Sequence, residues 1–251
     1  MSKFDLNEIA RSYVEAEFNE IANNIYALLS DRVWINNPLL TRIASRKMWQ
    51  LHVASSVGLK VPKTIISNNS HDIFKFLSDM DGDLALKSLS ALHAEIPINE
   101  SNSYDYGLFT RRVTQSELQN AREFIHYMPT TIQEYIEKAF ELRVTSIGGV
   151  HFACRIDTQS SEFSKEDSRV NISDLPHSEY QLPGDVACKL TKYMQVMGIN
   201  FGCHDIIVDK NNDYVFLECN PNGQWMWIER LTGINISKAI ADFLTRCIQI
   251  V

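Results

Sequence analysis

Paired cysteines are missing from this sequence. Cys154, Cys188, Cys203, Cys219 and Cys247 form no CxxC spacing and are odd in number. That argues against a disulfide framework or a cysteine-built zinc site, and fits reduced thiols in a cytosol. No apolar run approaches the length of a membrane span, and the first residues, MSKFDLNEIARS, do not read as a signal peptide. A basic stripe is also absent. With a formal net charge of −7 the chain is no general binder of nucleic-acid backbones. Neither an internal repeat nor a Ser/His/Asp or Cys/His arrangement stands out. What remains is a soluble, cytoplasmic protein whose 45% hydrophobic content can bury a real core, as one domain or two closely packed lobes.

The stretch richest in chemistry is Val215 to Trp227, VFLECNPNGQWMW. It opens as a buried strand should, with apolar, β-branched and aromatic residues, yet ends on Glu218 and Asn220. An unpaired carboxylate at a buried strand end costs several kcal/mol, so a cation is the simplest explanation. Carboxylate and amide oxygens suit a hard ion such as Mg²⁺. Pro221, Asn222 and Gly223 then turn the chain. Upstream, Phe201 to Val208 (FGCHDIIV) is a second strand-like run with Asp205 inside it. Adjacent strands would aim Asp205, Glu218 and Asn220 at one point, whereas Asp205 alone reads equally well as an acid satisfied by backbone donors. His204 falls on the opposite face and reads as a packed histidine.

Apolar spacing predicts a helix or bent pair over Leu6–Leu29, a short strand and turn at Val33–Pro38, and a helix over Thr41–Val57 stopped by Gly58. Strands are expected at Lys63–Ser67, Leu84–Leu89, Thr131–Ile136, Leu142–Ile147 and Val150–Ile156, the last two joined at Gly148-Gly149. Helices are expected at Ser70–Met80, Ser116–Tyr127, Asp185–Met197 and Ile236–Ile248. Ser90–Arg112 and Gln159–Pro183 are polar; the first reads as a hairpin, a lid or an ordinary surface excursion. Lys87 alternates with leucines and so faces away from them. There it either meets an anion or guards an edge strand. Lys47 by itself reads as a solvated lysine. Arg143 offers a fork to phosphate or carboxylate, or a surface ion pair with Glu141 or Glu137.

An acid in one strand, followed by a strand ending Glu-x-Asn and a turn, resembles the metal-binding end of the ATP-grasp ligases. The longer string NPNGQWMWIERLTG resembles the ATP-grasp ligases that crosslink ribosomal peptides, the microviridin-type or graspetide maturases. The resemblance runs from Val33 to the C-terminus. It implies an α/β (α+β) ATP-grasp fold whose two lobes clasp nucleotide between antiparallel sheets, with 39–130 as the smaller lobe and 131–251 as the metal and nucleotide lobe. RKMWQLHVASSVGLKVPKT is similar to the start of such a domain and makes Lys47 a phosphate contact, with Lys87 the second nucleotide lysine. Gln133, Glu134, Tyr135 and Ile136 match the hinge that pairs with adenine, and Glu141 the acid that binds the ribose hydroxyls, where these ligases usually carry aspartate. Asp167-Ser168-Arg169 keeps the outer residues of an Asp-Trp-Arg signature, which makes Arg169, with Arg143, a phosphate or acyl-phosphate contact; Asn171 lies beside the nucleotide.

The implied activity is carboxylate activation by ATP, with two Mg²⁺ ions, followed by attack of a hydroxyl or amine on an acyl phosphate. The implied substrate is a ribosomal precursor peptide whose Asp or Glu side chain is joined to Ser, Thr or Lys. A RimK-like ligase adding an amino acid to a carboxylate is the runner-up, and a non-catalytic nucleotide-binding module is the reading from another class. Residues 1–38 look like the tail of the N-terminal lobe these enzymes carry, which leaves room for a homo-oligomer or a partner that supplies such a lobe.

Overall fold

The computed structural model describes residues 8–89, 93–99, 102–107, 110–160 and 174–248. Three helices come first: α1 (Glu8–Leu28), α2 (Pro38–Ala44) and α3 (Lys47–Ser56). Then follow β1 (Thr64–Ser67), α4 (Ser70–Ser78), β2 (Leu84–Lys87), the hairpin β3 (His93–Asn99) and β4 (Asn102–Gly107), β5 (Arg111–Val113), α5 (Gln115–Asn120) and β6 (Thr130–Glu134). The second half holds β7 (Lys138–Ile147), β8 (Val150–Ile156), β9 (His177–Tyr180), α6 (Gly184–Met197), β10 (Phe201–Asp209), β11 (Tyr214–Asn220), α7 (Met226–Thr232) and α8 (Ile236–Ile248).

Two antiparallel sheets organise these elements. The first runs β1-β6-β2-β5 and the second β11-β10-β7-β8-β9. Ile73, Leu77, Leu84, Leu118 and Ile132 fill the core under the first sheet. A larger core lies between the second sheet, α6 and α3, around Leu142, Leu190, Tyr193, Phe216, Val53 and Ala54. The turn between β7 and β8 needs its glycines, because Gly148 and Gly149 both take positive φ, 54° and 86°. Strand β6 stays with the first sheet, so the chain crosses between sheets after Glu134, a little beyond the division expected at 130/131.

Several expected elements differ. No strand forms at Val33–Pro38: Asn36 and Asn37 use their side chains on backbone groups elsewhere, and Asn37 caps α2 with Pro38 at its first position. The helix expected over Thr41–Val57 is two helices, because Arg46 is extended (φ −80°, ψ 109°). That break lets α3 start afresh at Lys47. Past Asn120 the helix expected to Tyr127 tightens into a 3-10 stretch, Arg122–Tyr127, which carries Ile125 into the first core. Strand β9 lies in the polar stretch Gln159–Pro183, for which no strand is expected; at a sheet edge its Ser178 and Glu179 face solvent and need no apolar signal. Helix α1 stands away from the body, with Ile9, Phe18 and Leu28 82%, 70% and 80% exposed.

His204 is fully buried between Tyr193 and Phe216, and neither ring nitrogen has a partner. Burial pushes its pKa down to about 3, helped by the charges of His151 and Arg143. Between the unfolded value near 6.5 and that folded value, only the unfolded state takes up the proton. The folded state therefore loses about 1.4 kcal/mol per pH unit as pH falls through this window. His204→Phe, which keeps the ring packing, is expected to flatten the acid limb of a urea-stability profile. An unchanged acid limb would mean that the imidazole is not held neutral.

Candidate active site

Strands β2 and β6 of the first sheet, β7, β10 and β11 of the second, and the start of α3 line a cavity of about 650 Å³. Ten of the residues singled out in the sequence line it: Lys47, Lys87, Gln133, Glu134, Tyr135, Ile136, Glu141, Asp205, Glu218 and Asn220. Arg143 does not line it but stands behind it, bonded to Asp205. Arg169 and Asn171, with Asp167, lie outside the described residues.

The acidic end is built by strand register. Asp205 and Glu218 are direct partners across β10 and β11, and Cys203 faces Asn220. Alternation therefore puts Asp205, Glu218 and Asn220 on one face, and His204 and Cys219 on the other. Just beyond, Ile206 pairs with Phe216, so Leu217 is an extra residue, a bulge at the rim of the site. Behind this pair Arg143, opposite Asp205 on β7, donates from Nη1 to Asp205 Oδ1 at 2.6 Å. The surface ion pair of Arg143 with Glu141 or Glu137 does not form. In front, Lys47 Nζ donates to Ser88 O at 3.1 Å and lies 3.5 Å from Glu218 Oε2. The Asp205 carboxyl is held above its ordinary value by burial and by the charge of Glu218, against the pull of Arg143.

Among the described residues no three His, Cys, Asp or Glu side chains converge on one point. The set is instead two carboxylates and the Asn220 amide, whose Oδ1 already accepts from Asn222 N at 3.0 Å. Such a sparse oxygen set fits Mg²⁺, which keeps waters and takes phosphate oxygens alongside one or two protein carboxylates.

At the opposite end, Gln133 donates from Nε2 to Thr64 Oγ1 at 2.9 Å, while its Oε1 is buried with no partner. An orphaned acceptor on a cavity wall can accept from a ligand's N–H. The Glu134 and Tyr135 amides are already bonded to Lys63 O (2.9 Å) and Asp83 O (3.2 Å). Glu141 is held by Lys138, a buried lysine the sequence reading missed. Strict alternation would put residues three apart on opposite faces. Here β7 skips a residue against β10, pairing Val208 with Phe140 and Asp209 with Lys138, and Lys138 swings onto the Glu141 side. Arg46, the other missed basic group on the wall, looked like helix surface before the break at Ser45–Arg46 was known.

Gly223 lets the turn after Asn220 fold back onto Arg143. A Cβ there would lie 2.5 Å from Cys203 Cβ and 3.1 Å from Arg143 Nη2. Gly223→Ala is expected to cost about 1–3 kcal/mol by overpacking, read as a lower urea midpoint. A midpoint equal to the parent's would show that the turn has slack.

Comparison with known proteins follows the same lines. A comparison with curated protein sequences gives no match. Among solved structures, the chain is similar to a Chryseobacterium gregarium RiPP-associated ATP-grasp ligase in complex with ADP and a leader and core peptide, with a TM-score of 0.83 and 29% identity over 96% of this chain and 71% of that one. It is also similar to macrocyclase MdnC of Microcystis aeruginosa MRC, bound with precursor peptide MdnA (TM-score 0.79, 28% identity, 97% of this chain and 73% of that one). Macrocyclase MdnB of the same organism aligns at 31% identity and a TM-score of 0.75 over 97% of this chain and 73% of its own. The RimK-like ATP-grasp domain matches residues 44–244. With that domain spanning most of the chain and the two-sheet cavity in place, the chain belongs to the RimK-like ATP-grasp family and is an ATP-grasp ligase.

Proposed function

We propose that this ligase crosslinks a ribosomally made precursor peptide, joining an Asp or Glu side chain to a Ser, Thr or Lys side chain. The observation that carries the reading is a single cavity with two lysines and paired carboxylates at one end and an unsatisfied hinge acceptor at the other. Supporting it, the similar ligases from Chryseobacterium and Microcystis were solved with leader, core or precursor peptide bound.

Adenine would lie at the hinge, where the Gln133 Oε1 takes its exocyclic amine and Ile136 contributes its backbone. Glu141, oriented by Lys138, would accept from the ribose hydroxyls. Lys47 and Lys87 would then meet the phosphates. Asp205, Glu218 and Asn220 would hold Mg²⁺, in one or two ions, which supplies neutralisation of the phosphate charge when bound. Arg143 acts on this arrangement through Asp205, fixing its carboxylate, and Arg169 and Asn171 are proposed to complete the phosphate end.

A carboxylate is a poor electrophile because its leaving group would be an oxide. Transfer of the γ-phosphoryl group to its oxygen releases ADP and makes phosphate the leaving group. A hydroxyl or amine then attacks the carbonyl carbon, loses its proton, and phosphate departs, leaving an ester or amide. The protein's share is positioning and charge stabilisation, and no nucleophilic side chain is required. Among the described residues no helix is long and apolar enough to cross a membrane. A cytoplasmic setting, where ATP is present, agrees with the free thiols of Cys154, Cys188, Cys203 and Cys219.

Mg·ATP is expected to raise the melting temperature of the parent, because a ligand of the folded state stabilises it by mass action. Glu218→Ala is expected to shrink that shift, and an equal shift in both proteins would remove Glu218 from the metal site. Incubation with ATP and a precursor peptide rich in Thr, Glu and Asp should lower the peptide mass by about 18 Da per crosslink, the water lost in condensation. ATP consumption that depends on a free amino acid, with peptide mass unchanged, would favour the RimK-like reaction instead.

A further inference from the structure

Strand β11 is the outer strand of its sheet, so half of its backbone groups face away from any neighbouring strand. Along that edge the Phe216 N–H donates to Lys60 O at 2.8 Å. At Cys219, between the two acidic-end residues Glu218 and Asn220, a side chain takes over. Gln50 of α3 accepts the Cys219 N–H on its Oε1 at 3.0 Å. Its Nε2 donates to the Cys219 carbonyl at 2.6 Å and to the Ala44 carbonyl at 2.7 Å. Both amide hydrogens and the amide oxygen are thus committed, in a residue only 2% exposed.

The placement matters more than the number of bonds. The Cys219 N–H belongs to the peptide unit that leaves Glu218, and the Cys219 carbonyl to the unit that enters Asn220. Gln50 therefore clamps the two peptide planes that flank the two side chains. We propose that Gln50 is a positioning residue for the metal ion: through Cys219 it sets the directions in which Glu218 and Asn220 present their oxygens to the point faced by Asp205. The proposal rests on the assignment of those three residues as Mg²⁺ ligands. Helix α3 does not depend on this clamp for its own seat, since Val53 and Ala54 are 1% and 0% exposed in the core. Loss of the amide should free the end of β11 while Lys47, one turn before Gln50, stays where it is.

Groups that orient metal ligands typically alter metal affinity by ten- to a hundredfold when removed. The variant to make is Gln50→Met, which keeps the side chain's length and packing and loses its hydrogen bonds. Calorimetry would measure ADP binding in EDTA, then Mn²⁺ binding in the presence of ADP. The expected result is an Mn²⁺ dissociation constant raised roughly tenfold or more, with ADP affinity in EDTA unchanged. An unchanged Mn²⁺ constant, or an equal weakening of ADP and Mn²⁺ as general loosening would give, overturns the proposal.

Hydrogen exchange on the parent chain covers the case of a variant that does not fold. If metal binding needs the clamp closed, metal must in turn favour the closed clamp. Mn²⁺ added to the ADP-bound protein should slow exchange at the Cys219 N–H more than at the Phe216 N–H on the same edge; equal slowing speaks against Gln50. A parent that binds ADP with no metal dependence would remove the metal assignment itself, and the proposal with it. Metal dependence kept intact in both parent and Gln50→Met removes Gln50 alone.

Discussion

Two carboxylates facing each other across adjacent strands set the terms for this molecule. Asp205 and Glu218 share a register position, so neither can move away from the other without breaking the β10–β11 ladder. Like charges held this way at a partly buried site repel, and the surrounding structure answers with cations on both sides. Arg143 approaches from the neighbouring strand and Lys47 from the helix opposite. Only one oxygen of Asp205 is taken by Arg143, and Lys47 stands beyond hydrogen-bond range of Glu218. The compensation is partial, which is the state expected of a site built to receive a further positive charge.

The two sheets divide the cavity's chemistry between them. From the first come Lys87 on β2 and Gln133 and Glu134 on β6; from the second come Glu141 on β7, Asp205 on β10 and Glu218 and Asn220 on β11. A ligand reaching both ends must touch both sheets, so its binding free energy depends on how they sit against each other. The second sheet is anchored through α3 and α6 in the larger core, and the first has a separate core of its own. Stability and ligand geometry are thus partly separable, with each core supporting its own half of the site.

Much of this was legible in the sequence because strands that end in function break their own pattern. An acid inside FGCHDIIV and a Glu-x-Asn ending to VFLECN conflict with burial, and the conflict located the acidic end of the cavity. Resemblance pointed to residues that periodicity could not single out, Lys47, Lys87 and 133–136, and all of them line the cavity. The residues that escaped were those whose position depends on irregular backbone. Lys138 was hidden by a skipped residue in β7, Arg46 by a helix break that no glycine or proline announces, and Gln50 by an amphipathic pattern in which one amide looks like surface. The Arg143–Asp205 pair was out of reach for another reason, since cross-strand partners need the strand order, and β7 lies far from β10 in the chain.

Strand β11 does more than carry Glu218 and Asn220. An outer strand with the composition YVFLECN would ordinarily offer a row of open backbone groups to any extended chain it met. Here the Lys60 carbonyl occupies the row near Phe216, and the Gln50 side chain occupies it at Cys219. An incoming strand would have to displace a buried amide to pair there. The two contacts thereby close this edge of the sheet to strand addition.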